Sequence, residues 1–119
     1  MWRQSSGKPR PVGHPVPAKI HAAAESRLIG IWDYTLEKWG EKQADAYVRG
    51  LVAAIHSLGR NRHLWRRVPD KALAGVWFAR HEHHYIFFRE LSRGMVGVIT
   101  VLHESMDLPA RIKDDGNAD

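Results

Sequence analysis

The chain has 119 residues, a formal net charge of +5 at pH 7 and no cysteine. That length suffices for a single domain with one hydrophobic core, and the lack of cysteine excludes a disulfide scaffold and a cysteine-ligated zinc site. The positive charge indicates an acidic partner or simply confers solubility. No segment approaches the length of a membrane helix, so the sequence predicts a cytoplasmic protein without a membrane partner.

Composition divides the chain into three parts. Residues 1–15 are rich in proline, serine and glycine, which resists packing and predicts a disordered tail. Residues 16–113 carry the periodic apolar pattern of one domain, which opens with a weak strand signal around 16–20. The charged residues 114–119 are expected to fray at the C-terminus.

The first strongly patterned segment, residues 22–58, predicts two amphipathic helices folded back on each other at Gly40. Glycine accepts the positive φ that ends a helix, and Glu41 suits the positive end of the next helix. Inside the second helix, Gly50 costs roughly 1 kcal/mol relative to alanine and would allow another element to approach closely. The apolar side chains recur every three or four residues, at Leu28, Ile31, Trp32, Leu36, Trp39, Ala44, Tyr47, Val48, Leu51, Ile55 and Leu58.

From Gly75 onward the apolar pattern changes to a period of two, which is typical of strands. Strands are predicted at 76–80, 85–89 and 95–102, and the second is nearly apolar, as in a strand covered on both faces. Because the links are short, the strands should form an antiparallel meander, which gives a two-layer α+β fold with the helical hairpin on one face of the sheet. In this arrangement the two layers should meet through Trp32, Trp39, Leu51, Phe87 and Ile99.

The loop at residues 59–74 is rich in arginine, with an aromatic residue, Trp65, among the basic ones. Such a mixture is typical of surfaces that bind nucleic acid or a carboxylate-bearing partner. The alternative is that Trp65 packs onto the core and the arginines are merely solvated. The candidate binding residues of this loop and of the strands are Arg60, Arg62, Trp65, Arg66, Arg67, Arg80 and Arg89.

Four motifs in order resemble the RelE/ParE toxins of bacterial type II toxin–antitoxin systems, most of all the ParE branch. Two lie in the strands: residues 84–89 are similar to the family's His-x-Ile-Phe-Tyr-Arg strand, and residues 101–107 to its Ile-Leu-His-x-x-Met-Asp ending. The helices supply Ile31-Trp32-Asp33-Tyr34, Trp39-Gly40 and Gln43-Ala44 through Tyr47, and Gly75 matches the entry into the sheet. The resemblance extends roughly from residue 16 to 112.

The resemblance implies a function as well as a fold. ParE-like toxins of plasmid-stabilisation systems arrest growth by acting on DNA gyrase through protein contact, and a cognate acidic ParD-like antitoxin neutralises them in a hetero-oligomer. RelE-like relatives instead cut mRNA on the ribosome. This chain departs from the family pattern at Trp77, where an arginine is common, and at Glu82, where a glycine is common.

The enzymatic alternative needs cationic groups to hold a phosphate and a general acid or base. The chain has no tyrosine after Tyr85, so an endonuclease site would have to use Arg80, Arg89 and His103. Histidine titrates near neutral pH and suits the role of base, but His103 can equally be bonded to a neighbouring backbone group at the end of its strand. The sequence therefore favours a toxin that is not an enzyme, with the mRNA endonuclease as the alternative.

Three further histidines, His81, His83 and His84, lie close together in a short link and raise the question of a metal site. Zinc prefers tetrahedral ligands from separate elements, which a tight turn without cysteine supplies poorly. The chain also lacks a glycine-rich phosphate loop and a Gly-x-Ser-x-Gly motif. The sequence predicts neither a metal nor a cofactor.

Overall fold

The computed structural model describes residues 18–92 and 95–106, so the predicted tail at 1–15 and the predicted frayed end at 114–119 lie outside the described residues. Three 3-10 turns, Leu58–Arg60, Arg62–Leu64 and Lys71–Leu73, lie between the helices and the meander. The helices and strands are β1 (Ala18–Ile20), α1 (Ala22–Trp39), α2 (Glu41–His56), β2 (Arg66–Arg67), β3 (Trp77–His81), β4 (His84–Ser92) and β5 (Met95–His103). No helix in the described part of the chain is long and apolar enough to span a bilayer.

The hairpin of α1 and α2 turns at Gly40, as the sequence predicts. Gly40 has a φ of +95°, a value that a side chain would make strained. Its N–H donates to the carbonyl of Leu36 at 2.9 Å, and its own carbonyl accepts from the N–H of Ala44 at 3.0 Å. One glycine therefore ends the first helix and begins the second.

The sheet has five strands in the order β1-β5-β4-β3-β2. Strands β3, β4 and β5 form the predicted antiparallel meander, and β1 adds to β5 in parallel, a pairing that the sequence did not predict. Because β4 uses both of its edges within the meander, the outer edge of β5 remains free to pair with β1. At the opposite edge, Arg66–Arg67 pairs with β3, where the sequence had indicated only a loop.

Strand β4 is central and covered on both faces, as its apolar sequence predicts. Ile86 and Phe88 belong to the cluster beneath the helices, together with Leu28, Leu51, Ile55, Val96, Val98 and Val101. Phe87 points to the other face and packs with Leu73, Val76, Ile99 and Leu102. The expectation that Phe87 and Ile99 lie beneath the helices is therefore wrong, because the pleat places alternate residues on opposite faces.

The buried stripe of α1 is rotated relative to the predicted one. Its buried positions are Ala24, Leu28 and Thr35, whereas Leu36 is 37% exposed and Trp39 is 69% exposed. Trp39 is the last residue of α1, at the turn of the hairpin, where it lines an open cleft. Trp32 is half-buried, and its indole N–H donates to the Asp45 carboxylate of α2 at 2.9 Å. Trp32 thus connects the two helices and Trp39 lies at the cleft, and neither occupies the centre of the core.

Truncation of Leu51 tests the packing of the helical layer. Leu51 is fully buried between α2 and the sheet, so Leu51→Ala should lower the free energy of unfolding by about 2–5 kcal/mol. Urea denaturation followed by circular dichroism measures the change. Leu64→Ala, at a side chain that is 49% exposed, is the matched control and should cost less than about 1 kcal/mol. Equal losses in the two variants would contradict the assigned core.

Candidate functional site

A cleft of about 1000 Å³ opens between the turn of the helical hairpin and the end of the sheet. Helix α1 contributes Ile31 and Tyr34 to its lining, and α2 contributes Tyr47. The facing wall consists of the turn between β3 and β4 and the end of β5, with residues Glu82, His83, His84, Val101, His103, Ser105 and Met106. The cleft therefore has both apolar and polar side chains on its helical side and is rich in imidazoles on its sheet side.

The register of the strands brings four histidines together at this wall. His81 pairs with His84 across the β3–β4 turn, and His84 pairs with His103 of β5. The ring centroids of His84 and His103 are 5.2 Å apart, and those of His83 and His103 are 6.4 Å apart. We call His81, His83, His84 and His103 the histidine cluster. Among residues 18–92 and 95–106, no three acidic or imidazole side chains are arranged to hold a metal ion.

Two local features of the chain shape this cluster. Glu82, in the tight turn, has a φ of +51°, which explains why a glycine suits that position in related sequences. Gly50 of α2 faces His81, and a Cβ at that position would lie 3.3 Å from the His81 Nε2 atom. The prediction that Gly50 allows a close approach is confirmed, and the element that approaches it is the end of β3.

Tyr47 connects the helical hairpin to the histidine cluster. Its hydroxyl lies 2.6 Å from Nδ1 of His84, and its ring packs edge-on against His81. Burial raises the pKa of Tyr47, with a smaller opposing effect from a hydrogen bond to the backbone of His83. Burial also lowers the pKa of His84 to about 4, with further lowering from the nearby His103, His83 and His81. At neutral pH the pair is therefore a phenol hydrogen-bonded to an uncharged imidazole.

Glu104, just after β5, bonds with Arg80 and His83 beside the cluster. Its carboxylate accepts from Nη2 of Arg80 at 2.7 Å and lies 3.0 Å from Nδ1 of His83. The hydrogen bond with His83 lowers the pKa of Glu104, and the positive charge of Arg80 lowers it further by a smaller amount. Arg80 also donates to the backbone carbonyl of Glu82 at 2.7 Å. Arg80 is thus held by neighbouring groups at the rim of the cleft.

His103 is held by the turn that follows its strand. Its Nδ1 accepts the backbone N–H of Ser105 at 3.1 Å and lies 2.8 Å from the Ser105 hydroxyl. The alternative interpretation from the sequence, a histidine bonded to a neighbouring backbone group, is confirmed.

The candidate endonuclease residues do not all come together. Arg80 and His103 lie at the same end of the sheet, but Arg89 is five residues along β4 from His84, which is opposite His103. That spacing corresponds to roughly 17 Å along the strand. Arg89 instead faces the carbonyl of Ala74 at 3.4 Å. A phosphate clamp formed jointly by Arg80, Arg89 and His103 is therefore wrong on geometric grounds.

The arginine-rich loop lies along the β2 edge of the sheet. Trp65 is 7% exposed, and its indole N–H donates to the carbonyl of Leu58 at 2.9 Å. The centroid of its ring lies 4.9 Å from that of Phe88 in the core, so Trp65 is not part of the exposed basic surface. The alternative, in which Trp65 packs onto the core, is confirmed.

The arginines around this edge differ in how firmly they are held. Arg62 makes two hydrogen bonds with the Glu90 carboxylate, at 2.6 and 3.2 Å, and this contact lowers the pKa of Glu90. The guanidinium of Arg67 stacks 4.6 Å from the centroid of Trp77, the residue that replaces the family's usual arginine. Arg60, Arg66 and Arg67 are exposed, and they form the basic part of this surface.

Together, the helical hairpin, the five-stranded sheet and the open cleft define a small two-layer α+β fold. The structure is similar to a toxin–antitoxin protein of the chromosomal ParDE system of Pseudomonas aeruginosa, with a TM-score of 0.61 and 18% identity over 72% of this chain and 92% of that one. It is also similar to a chain of the RelBE2 toxin–antitoxin complex of Mycobacterium tuberculosis, with a TM-score of 0.55 and 17% identity over 76% and 99% of the two chains.

Sequence relatives narrow this class to one family. The model of the ParE toxin of the type II toxin–antitoxin system parDE matches residues 18–108. Toxin ParE1 of Mycobacterium tuberculosis is 35% identical over 89 residues, which cover 75% of this chain and 90% of the relative. Toxin ParE of Escherichia coli is 33% identical over 95 residues, which cover 80% and 91%. The chain belongs to the ParE toxins of type II toxin–antitoxin systems.

Sequence reasoning missed several residues of the cleft. Tyr47 follows the apolar period of α2, so it was assigned to the core, although its hydroxyl needs a polar partner when buried. Glu104 gave no signal of its own, because its role depends on the pairing of β4 with β5. The sequence did hint at the site, because histidines are concentrated at the start of β4 and at the end of β5, which pair with each other.

Removal of the Tyr47 hydroxyl tests the contact between the helical hairpin and the cluster. Tyr47→Phe leaves Nδ1 of His84 without this partner, and it should lower the free energy of unfolding by about 1–2 kcal/mol. Chemical denaturation measures the effect. Tyr34→Phe, at a side chain that is 61% exposed, is the control and should change stability by less than about 0.5 kcal/mol. An unchanged midpoint for Tyr47→Phe would show that the contact contributes nothing to stability.

The low pKa of His84 predicts a loss of stability in acid. The folded state holds the pKa near 4, whereas the unfolded chain has the ordinary value of 6.5, so the unfolded state binds more protons between these values. The free energy of unfolding should therefore fall as the pH decreases from 6.5 to 4. The measurement is urea denaturation across this range. His84→Gln should reduce the pH dependence, and an unaltered slope in this variant would assign the acid sensitivity to other groups.

Proposed function

We propose that this toxin arrests growth by binding DNA gyrase without chemistry of its own, and that an acidic cognate antitoxin neutralises it in a hetero-oligomer. Membership of the ParE toxin family over residues 18–108 is the observation that carries the proposal. The separation of Arg89 from His103 supports a toxin that is not an enzyme, because the proposed phosphate-holding groups do not share one site.

Two surfaces of the described chain suit an antitoxin segment. The cleft offers apolar side chains, such as Ile31 and Met106, to the anchors of an amphipathic segment. The exposed arginines at the β2 edge, Arg60, Arg66 and Arg67, offer charges to its carboxylates. The basic net charge of +5 favours such a partner.

The gyrase target is tested with purified toxin and purified gyrase. Supercoiling of relaxed plasmid should stop at toxin excess and recover when the antitoxin from the neighbouring reading frame is added. His103→Ala should inhibit as well as the unsubstituted toxin, because His103 has no chemical role in this proposal. Full gyrase activity at a large toxin excess would reject the target. Ribosome-dependent mRNA cuts that vanish with His103→Ala would establish the endonuclease in its place.

The arginine contribution to antitoxin binding is tested by charge reversal. The double variant Arg66→Glu and Arg67→Glu should weaken the complex by about tenfold or more, because repulsion replaces attraction at the interface. Calorimetric titration measures the dissociation constant, and circular dichroism verifies the fold. The double variant Lys42→Glu and Arg49→Glu, two exposed changes on α2, is the control for net charge, because it also replaces two positive charges by two negative ones. An affinity that falls equally in both double variants would remove Arg66 and Arg67 from the interface.

A further inference from the structure

The cleft presents two imidazole N–H groups that have no acceptor among the described residues. His103 accepts the Ser105 N–H at Nδ1, so the neutral ring carries its proton on Nε2. The Tyr47 hydroxyl lies 2.6 Å from Nδ1 of His84. A phenol is a stronger hydrogen-bond donor than a neutral imidazole, so Tyr47 donates to Nδ1 and His84 carries its own proton on Nε2.

The carboxylates beside these rings are already engaged elsewhere. Glu104 is held by Arg80 and His83, at 2.7 and 3.0 Å. Glu82, which lines the cleft, has a carboxylate oxygen 3.7 Å from Nε2 of His81. No hydrogen bond joins Nε2 of His84 or His103 to any other residue in the described parts of the chain. The Nε2–H groups of His84 and His103 thus lack a hydrogen-bond acceptor within the described residues.

We propose that the cleft binds a carboxylate side chain of the antitoxin between His84 and His103, and that binding is accompanied by proton uptake at this pair. The inference rests on the proposed function, because it specifies the chemistry of the antitoxin segment. The two rings are perpendicular, with centroids 5.2 Å apart, a separation that one carboxylate can bridge with its two oxygens. Imidazolium–carboxylate hydrogen bonds are stronger than neutral ones, so binding favours the protonated rings.

The surroundings of the pair determine the sign of the proton linkage. His84 is faced by Tyr47 from α2, His81 from β3, and His83 and Glu82 from the turn, while Arg80 and Glu104 form an ion pair at the rim and Arg27 lines the cleft from α1. In the free toxin, burial and the neighbouring histidines hold the pKa of His84 to about 4. An added carboxylate opposes both effects and raises the pKa of His84. An apolar occupant would deepen the burial and keep His84 neutral, so this ring would take up no proton.

The test is calorimetric titration of the full-length toxin with its antitoxin in buffers of different ionisation enthalpy, at pH 7.0 and pH 6.0. We expect net proton uptake and an affinity that rises by up to about tenfold over that unit of pH. His103→Gln and the double variant with His84→Gln should bind with less uptake and a flatter pH dependence. His56→Gln, an exposed histidine at the end of α2 outside the cleft, is the matched control and should behave like the unsubstituted toxin.

The outcomes separate this inference from the proposed function. Tight binding without proton exchange, or with proton release, overturns the carboxylate assignment and leaves antitoxin neutralisation intact. A failure of the folded toxin to bind the antitoxin at either pH overturns both. Nuclear magnetic resonance titration of His84 gives a second readout. If its pKa in the free toxin is already as high as in the complex, the acceptor belongs to this chain or to a second copy, and the proposal fails.

Discussion

The need to cover β4 on both faces organises the whole molecule. Ile86 and Phe88 point to one side and Phe87 to the other, and each is at most 2% exposed. A single layer of helices can cover only one of these faces. The other is covered by Leu73 and Val76 from the connection before β3, together with residues of β5. The connection that carries the arginines is therefore part of the core as well as part of the surface.

The same constraint determines where the cleft opens. The helices pack over the middle of the sheet through small and branched side chains such as Ala24 and Leu51, which are fully buried. Their turn at Gly40 and the end of the sheet at His103 are not closed by such side chains, and the space between them is lined by tyrosines and histidines. The Tyr47–His84 contact fixes the helical side of this opening relative to the sheet. A partner thus meets a preformed surface, which lowers the entropic cost of binding.

The sequence predicts the elements of this fold better than it predicts their faces. Periodicity located α1, α2 and the meander, because period and element type are local properties. It did not identify the parallel pairing of β1, since which strand occupies a free sheet edge depends on the complete chain. The exposure of Trp39 and the burial of Trp65 show the same limit. A tryptophan is compatible with a core or with a rim, and only the packing of distant elements decides between them.

The sequence predicted the site only where several residues of one type lie close together in the chain. The arginines of the loop predicted a basic surface, and the adjacent histidines predicted a cluster. The residues that bond to these side chains, however, belong to other helices and strands. Glu104 engages Arg80 and His83 only because β5 pairs with β4. The family resemblance correctly supplied the class of protein, whereas the closeness of His84 to His103 depends on the pairing of β4 with β5.

The parallel edge of the sheet has a consequence for synthesis on the ribosome. Ala18 of β1 pairs with Val96 of β5, so β1 can complete its pairing only after β5 has been synthesised. Contacts of such large sequence separation form late, because the intervening chain must be ordered first. An incompletely translated chain would lack β5, and with it both the partner of β1 and one wall of the cleft. The topology thereby requires β5 to be synthesised before the β1 edge of the sheet and this wall of the cleft can form.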